Sequence, residues 1–247
     1  MEGAAPPGPR RLVPTDVVAW WSDRSHGDQR DVAALGPPAP VPAGAALWVL
    51  HQVHGTAVVT VPAGAAAGRP APAVPGRARR PGPSAPEGDA LVSGVPGTVL
   101  VVRTADCAPV ALGAASGAFA AVHAGWRGVL HGVVGAAADA VRALGPGPLV
   151  AGIGPSIGPC CYQFSPADLD TVAATWGPAV RARTRGGGPA LDLRAAVRVA
   201  LDAAGVTLVT EDDTCTACSG RHFSHRAHGD VARQAMFVWR DVPRRDR

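Results

Sequence analysis

Three short stretches carry a ligand set of the kind that holds zinc: His51-Gln52-Val53-His54-Gly55, Thr104-Ala105-Asp106-Cys107 and Val122-His123-Ala124-Gly125-Trp126-Arg127-Gly128. A thiolate from Cys107 and imidazoles from His54 and His123 could hold one metal ion and leave a coordination position open for chemistry. Each residue alone has a plainer reading, since a small cysteine with apolar flanks is most often core and a lone histidine most often a hydrogen-bonding residue. Three of them at three strand ends strengthen the joint reading, although no Cys-x-x-Cys or His-x-x-x-His pair anchors the set. Asp106 is placed to orient a water or a ligand imidazole. Arg127 sits in a glycine-bounded turn at a helix start, where backbone N–H groups and a guanidinium can converge on an anion; a core carboxylate partner is the alternative. His51, three residues before His54, would face the other side of a strand and reads as a supporting or surface residue. Cys215-Thr216-Ala217-Cys218 has the spacing of half a zinc knuckle. Its other half would have to be Cys160-Cys161, adjacent residues expected to point apart, so no structural zinc is expected there.

The elements that must position these residues mix strands and helices. Leu47–Leu50 and Ala57–Val61 read as strands around the first histidines, and Thr98–Arg103 as a β-branched strand with Cys107 just past its end. Phe119–His123 is a short apolar run ending in the second imidazole, and Gly125–Gly128 turns the chain. A helix should follow, with Val129, Leu130, Val133, Val134, Ala137, Val141 and Leu144 at helical spacing and Gly145 as its stop. Leu149–Ile153 reads as a strand, Ser165-Pro166 opens a capped helix, and Asp192 caps another that carries Leu193, Val197, Ala200 and Leu201. This interleaving predicts an α/β or α+β layered fold with a mixed sheet.

The chain has 247 residues, 47% of them hydrophobic, enough for one sizeable core. All 23 basic Lys/Arg positions are arginine, and asparagine is absent as well, a pattern expected of GC-rich coding. The net charge of +4 sits largely in Pro/Gly-rich segments and tails: Arg10-Arg11, Arg77 to Arg80 and Arg244-Arg245-Asp246-Arg247. Without aromatic interleaving or a nucleic-acid motif, solvated tails explain it better than a nucleic acid polymer. No charged-then-apolar leader and no uninterrupted apolar run of roughly 18 residues are present, so neither secretion nor a membrane is expected, and a cytoplasmic, reducing setting is. The five cysteines are then free or metal-bound. Residues 1–14 read as a disordered leader, 15–240 as one catalytic domain interrupted by a low-complexity loop at 61–88, and 241–247 as a basic tail.

Gln-Val-His-Gly at 52–55, Gly88-Asp89-Ala90-Leu91-Val92, Thr104-Ala105-Asp106-Cys107 with Pro109, and His123-Ala124-Gly125-Trp126-Arg127-Gly128 occur in that order. Gly154-Pro155-Ser156-Ile157-Gly158 with Cys161-Tyr162, Leu191-Asp192-Leu193 and Asp213-Thr214-Cys215-Thr216 follow. Together, over roughly residues 45–240, these motifs resemble the YfiH-like family, also called the laccase-like polyphenol oxidase or purine nucleoside phosphorylase family. The resemblance implies a single α+β domain in four α/β/β/α layers, its mixed sheets flanked by helices. It implies zinc on His54, Cys107 and His123, with Cys107, His123, Asp106 and Arg127 catalytic and Arg24, Arg127, Ser156, Tyr162 and Arg226 on the substrate. The implied enzyme phosphorolyses adenosine, inosine, guanosine and methylthioadenosine, also deaminates adenosine, and so has purine nucleosides and phosphate as partners, as a monomer or small homo-oligomer. A related role is peptidoglycan editing, and deamidase toxins of the same fold pair a Cys and a His, here Cys107 as nucleophile and His123 as base. Copper fits less well: one His-His-Cys set is too small for a multicopper oxidase, and Met236 is the one methionine beyond Met1. The chain departs from the family pattern at Asp23-Arg24-Ser25-His26-Gly27-Asp28, at Gln163 in place of Glu, at Val197 in place of Asn, and at His225 within Ser-Tyr-Arg.

Overall fold

The computed structural model describes residues 8–32, 40–64 and 85–241. In chain order these form β1 (Arg10–Arg11), β2 (Val17–Trp21), β3 (Ala46–Trp48), β4 (Val58–Thr60), β5 (Ala90–Ser93), β6 (Thr98–Thr104), β7 (Ala108–Ala114) and β8 (Phe119–Ala124). Then come α1 (Trp126–Leu130), α2 (Val133–Leu144), β9 (Leu149–Ile153), α3 (Pro166–Trp176), β10 (Arg181–Arg183) and β11 (Pro189–Leu191). The chain continues with α4 (Leu193–Ala203), β12 (Val206–Glu211), α5 (His225–His228) and β13 (Gln234–Arg240). One mixed sheet runs β1-β2-β13-β6-β3 and a second runs β12-β9-β7-β8-β5-β4, while β10 and β11 form a separate hairpin. Among the strands of the described residues, only β3 with β6, β4 with β5 and β12 with β9 pair in parallel.

Period-two alternation sorts the side chains of both sheets into layers. Val17, Ala19, Trp21, Leu100, Val102, Met236 and Val238 face Leu91, Ala111, Phe119 and Ala121 across the sheet-on-sheet core. The opposite set from the second sheet, including Val92, Val110, Leu112 and Val122, packs on the helices. The outer set from the first sheet, including Val18, Trp20, Val99, Val101, Phe237 and Trp239, is covered with Val32 and Val41. The α/β/β layers are therefore complete. The expected fourth layer consists, among the described residues, of two 3-10 turns, Arg24–His26 and Gln29–Asp31.

Local chemistry sets the boundaries. Ser165 and Asp192 cap α3 and α4 by accepting from the N–H groups of Asp168 and Ala195. The single helix expected after Gly128 is two, because Gly132 takes the left-handed region at φ 94 and breaks it. The leader expected over 1–14 stops short. Residues 1–7 lie outside the described part, but Arg10–Arg11 pair with β2 and Leu12 is fully buried, so apolar burial ties this stretch down. Of the 61–88 loop, 65–84 lie outside the described residues, while Val61 is buried and bonds back to Val92. The arginines of the tail likewise lie outside. Among the described residues no helix is long and apolar enough to cross a membrane.

Candidate functional site

The loops at one rim of the second sheet bring His54, Cys107 and His123 together, with one donor atom from each within 4.8 Å of the others. His123 is on β8, opposite Pro109 of β7, and Cys107 is in the turn that enters β7. His54 is not at a strand end as expected. It occupies a turn in the left-handed region at φ 62, a conformation that a side chain adopts only when its surroundings impose it. What imposes it is Asp89. This fully buried carboxylate accepts from the N–H groups of Val53 (3.3 Å), His54 (3.0 Å) and Gly55 (2.6 Å). Gln52 pins the same turn to β6 through paired amide bonds with the Arg103 main chain, at 2.8 and 2.9 Å.

Asp89 also meets Nδ1 of His123 at 2.8 Å. A carboxylate there fixes the tautomer, so Nε2 of His123 is left to face Cys107 and His54. The His54 and His123 rings meet edge to face at 4.8 Å, and Cys107 Sγ lies 3.7 Å from His54 Nε2. Gly125 leaves the room: a Cβ there would come within 2.7 Å of His54 Cδ2 and 3.2 Å of Cys107 Sγ. A thiol and two imidazoles converging beside a space that only glycine keeps open fit a borderline ion such as zinc.

The electrostatics agree. Burial alone would push the Cys107 thiol up, but the His123 charge and hydrogen bonding from both imidazoles outweigh it and bring it down to about 6. Burial opposes a charged His123, yet the Cys107 thiolate and Asp89 hold it up at about 9. Burial would also raise Asp89, but His123 and the Gly55 and His54 N–H groups keep it below the usual carboxylate range.

His54, Cys107 and His123 line a cleft of about 610 Å³. Five arginines line it too, Arg30, Arg103, Arg127, Arg226 and Arg233, against a single carboxylate, Asp106. Arg127 is exposed, stacks 4.6 Å over Trp126 and has no acidic partner among the described residues, so the core-carboxylate alternative for it falls away. Tyr162 is buried with its ring 5.2 Å from the Arg226 guanidinium, and burial pushes its phenol up, so it stays a proton donor. His51 is exposed and lines the cleft, held not in a continuous strand but by an isolated bridge to Glu87.

Three expected site residues have other duties. Asp106, at φ 98, spends Oδ1 on the Thr216 hydroxyl and Oδ2 on the Arg226 N–H, both at 2.7 Å. It therefore holds the loop that brings Arg226 to the cleft rather than orienting a water or an imidazole. Arg24 does not line the cleft: it stacks on Phe223, pairs with Asp230 and donates to the His222 carbonyl. Ser156 is fully buried, and its main chain bridges to Thr214 and Thr216. Of the departures from the family pattern, Val197 is buried in the helix-side core and cannot touch a ligand. His225 lines the cleft, and the exposed Gln163 offers its carbonyl to Arg226 at 3.5 Å. Asp89 is the residue that reading the sequence missed. Its signal was an acid placed directly before an apolar run, Asp89-Ala90-Leu91-Val92, where a carboxylate needs partners to be buried.

The fold and site thus define a class: a two-sheet layered domain with an open His-Cys-His site at the floor of a basic cleft. A family model described as multi-copper polyphenol oxidoreductase laccase matches residues 29–241. The chain belongs to this family, which includes the YfiH-like proteins. It is similar to a purine nucleoside phosphorylase of Streptomyces coelicolor, 39% identical over 200 residues that cover 79% of this chain and 75% of that one. Its fold matches the crystal structure of the hypothetical protein YfiH of Bacillus licheniformis, with TM-score 0.74, 22% identity and 91% and 93% of the two chains covered. YlmD of Geobacillus stearothermophilus is 29% identical at TM-score 0.65, over 79% of this chain and 74% of that one.

Proposed function

We propose that this protein is a zinc-dependent purine nucleoside enzyme. It would phosphorolyse adenosine, inosine, guanosine and methylthioadenosine and deaminate adenosine. One observation carries the reading: three soft or borderline donors, one of them locked by Asp89, converge at the floor of a cleft that five arginines line against a single carboxylate. That rim suits phosphate, and the relatives named purine nucleoside phosphorylase support the substrate class. His54, Cys107 and His123 would hold the ion, which when bound supplies a Lewis acid and a water acidified towards neutrality.

The remaining work falls to side chains. Arg127 and Arg226 hold phosphate so that one oxygen attacks ribose C1′ as the C1′–N9 bond breaks. Tyr162, kept protonated by burial, donates to the substrate from the wall. In deamination water adds at purine C6 and ammonia leaves. The test is to assay wild type and Cys107→Ala with adenosine, with and without phosphate, following products by mass and metal by elemental analysis. Adenine or inosine formed by wild type and not by the variant is expected. Full activity in the variant would overturn the proposal.

A second reading rests on the charge pair between Cys107 and His123, which is also the poise of a cysteine nucleophile with its base. In that case the protein is an amidase that edits cell-wall precursors. Thiol alkylation would then abolish activity while chelators spare it, and zinc dependence gives the reverse.

A further inference from the structure

Four of the five cysteines stand apart from the cleft site. Cys160 and Cys161 lie in consecutive turns after β9, where Cys161 N–H bonds to the Gly158 carbonyl at 3.0 Å and Tyr162 N–H to that of Pro159 at 3.3 Å. Cys215 and Cys218 lie between β12 and α5. Two backbone bonds clamp the segments together: Ser156 N–H to the Thr214 carbonyl at 3.3 Å and Thr216 N–H to the Ser156 carbonyl at 3.1 Å. The four sulfurs consequently meet, all within 4.8 Å of one another. Adjacent cysteines do point apart in an extended chain, but this stretch is not extended, and the turn brings Cys160 Sγ and Cys161 Sγ to 3.6 Å.

The spacing is that of a tetrahedral ion. Four sulfurs at about 2.3 Å from a zinc lie about 3.8 Å apart. Cys160 Sγ is 3.6 Å from Cys161 Sγ and 3.9 Å from Cys218 Sγ. The cluster has no imidazole and no carboxylate, so its donors are uniformly soft. It is also too compact to enclose a cluster of several irons. Its surroundings supply what a doubly negative tetrathiolate centre needs. Gly158 N–H donates to Cys215 Sγ at 3.1 Å. A Cβ at Gly158 would lie 3.2 Å from Cys215 Cβ, 3.3 Å from Cys160 Sγ and 3.4 Å from Arg194 Nη2, so the bare glycine lets the turn close on the sulfurs beside a buried guanidinium.

We propose that Cys160, Cys161, Cys215 and Cys218 bind a second zinc ion, a closed tetrathiolate centre with no position for substrate. Each thiol gives its proton to solvent as its sulfur binds. The ion staples the segment that carries Tyr162 to the one that carries Thr216 and Arg226. Both segments wall the cleft: Arg226 stacks on Tyr162, and Thr216 holds Asp106 beside Cys107. The centre is thus a device for positioning the cleft wall, and it stands whether or not the substrate is a nucleoside.

The experiment measures metal per chain in protein expressed with zinc and purified anaerobically without chelator. Wild type, Cys107→Ala and the double variant Cys215→Ser/Cys218→Ser are compared. The expected zinc contents are two, one and one. One zinc in wild type, kept by Cys107→Ala and lost in the double variant, upholds the staple while removing the ion from the cleft. Absence of metal from Cys107→Ala overturns the staple, as does unchanged metal in the double variant. Should the double variant fail to fold, cobalt(II) loading of Cys107→Ala decides. Intense thiolate-to-cobalt charge transfer with a tetrahedral ligand-field spectrum is expected, and its absence overturns the proposal.

Discussion

The two sulfur-bearing clusters of this protein are built on opposite plans. At the cleft, three donors of two kinds are held by groups behind them: Asp89 clamps the His54 turn and the His123 ring, and Gly125 keeps the space between His54 and Cys107 clear. At the turn after β9, four donors of one kind meet with main-chain N–H groups such as that of Gly158 behind them and two backbone bonds between their segments. An open site must be oriented by the protein, because an ion with a free position cannot by itself dictate geometry. A closed site can be oriented by its ion, provided the chain delivers the sulfurs nearby. The contrast predicts that cleft residues govern chemistry and the thiolate cluster governs the shape of the cleft wall.

Removing a donor from each cluster tests the contrast most strongly. Cys107→Ala should reduce nucleoside turnover to background with little change in thermal midpoint. Loss of Cys215 and Cys218 should lower the midpoint and raise KM through a displaced Tyr162 and Arg226. Thermal melts and steady-state kinetics on both variants check this. Equal damage to both readouts in both variants would erase the distinction.

Next in size comes the carboxylate behind the cleft. Asp89→Asn keeps an acceptor for the backbone but loses the charge that faces His123. Outer partners of metal-bound histidines are worth roughly 10–100-fold in affinity or activity. A competition titration with a chromophoric chelator should show that loss at the cleft and none at the thiolate cluster. Undiminished cleft affinity would mean that the Asp89–His123 bond serves only the fold.

How far these plans were legible beforehand follows from where the physics is local. Helix caps are local, and Ser165, Asp192 and Gly145 mark helix ends as the sequence implies. The strands β7 and β13 are buried on both faces, so they read as unbroken apolar runs without the alternation that identifies a half-exposed strand. Cys107 and His123 stand out because reactive residues are rare in this alanine-rich chain. Asp89 does not, since its role depends on a turn 35 residues away in sequence. The thiolate cluster was hidden for the same reason, because only tertiary structure folds Cys160-Cys161 into a turn facing Cys215 and Cys218.

Arg127 offers a smaller, more selective effect. It is an exposed cleft cation without an acidic partner among the described residues, so its removal costs little stability. A hydrogen bond to a charged group contributes about 1.5–3 kcal/mol. Arg127→Ala should therefore lower kcat/KM for phosphate by roughly 10–150-fold and leave deamination, which uses no phosphate, near wild type. Parallel loss of both activities would assign Arg127 to the nucleoside instead.

The mildest test changes no residue. In metal-free protein Cys107 loses its proton near pH 6 and His123 keeps its own to about pH 9, so the charge pair exists between those limits. Only a thiolate is alkylated. Reaction of Cys107 with iodoacetamide should then rise with pH, pass its midpoint near 6 and level off before an ordinary thiol reaches its own midpoint at about 8.5. Mass mapping separates Cys107 from the other four cysteines. A Cys107 midpoint near 8.5 would show that the pair does not form. A midpoint near 6 would show that the pair forms at the open site.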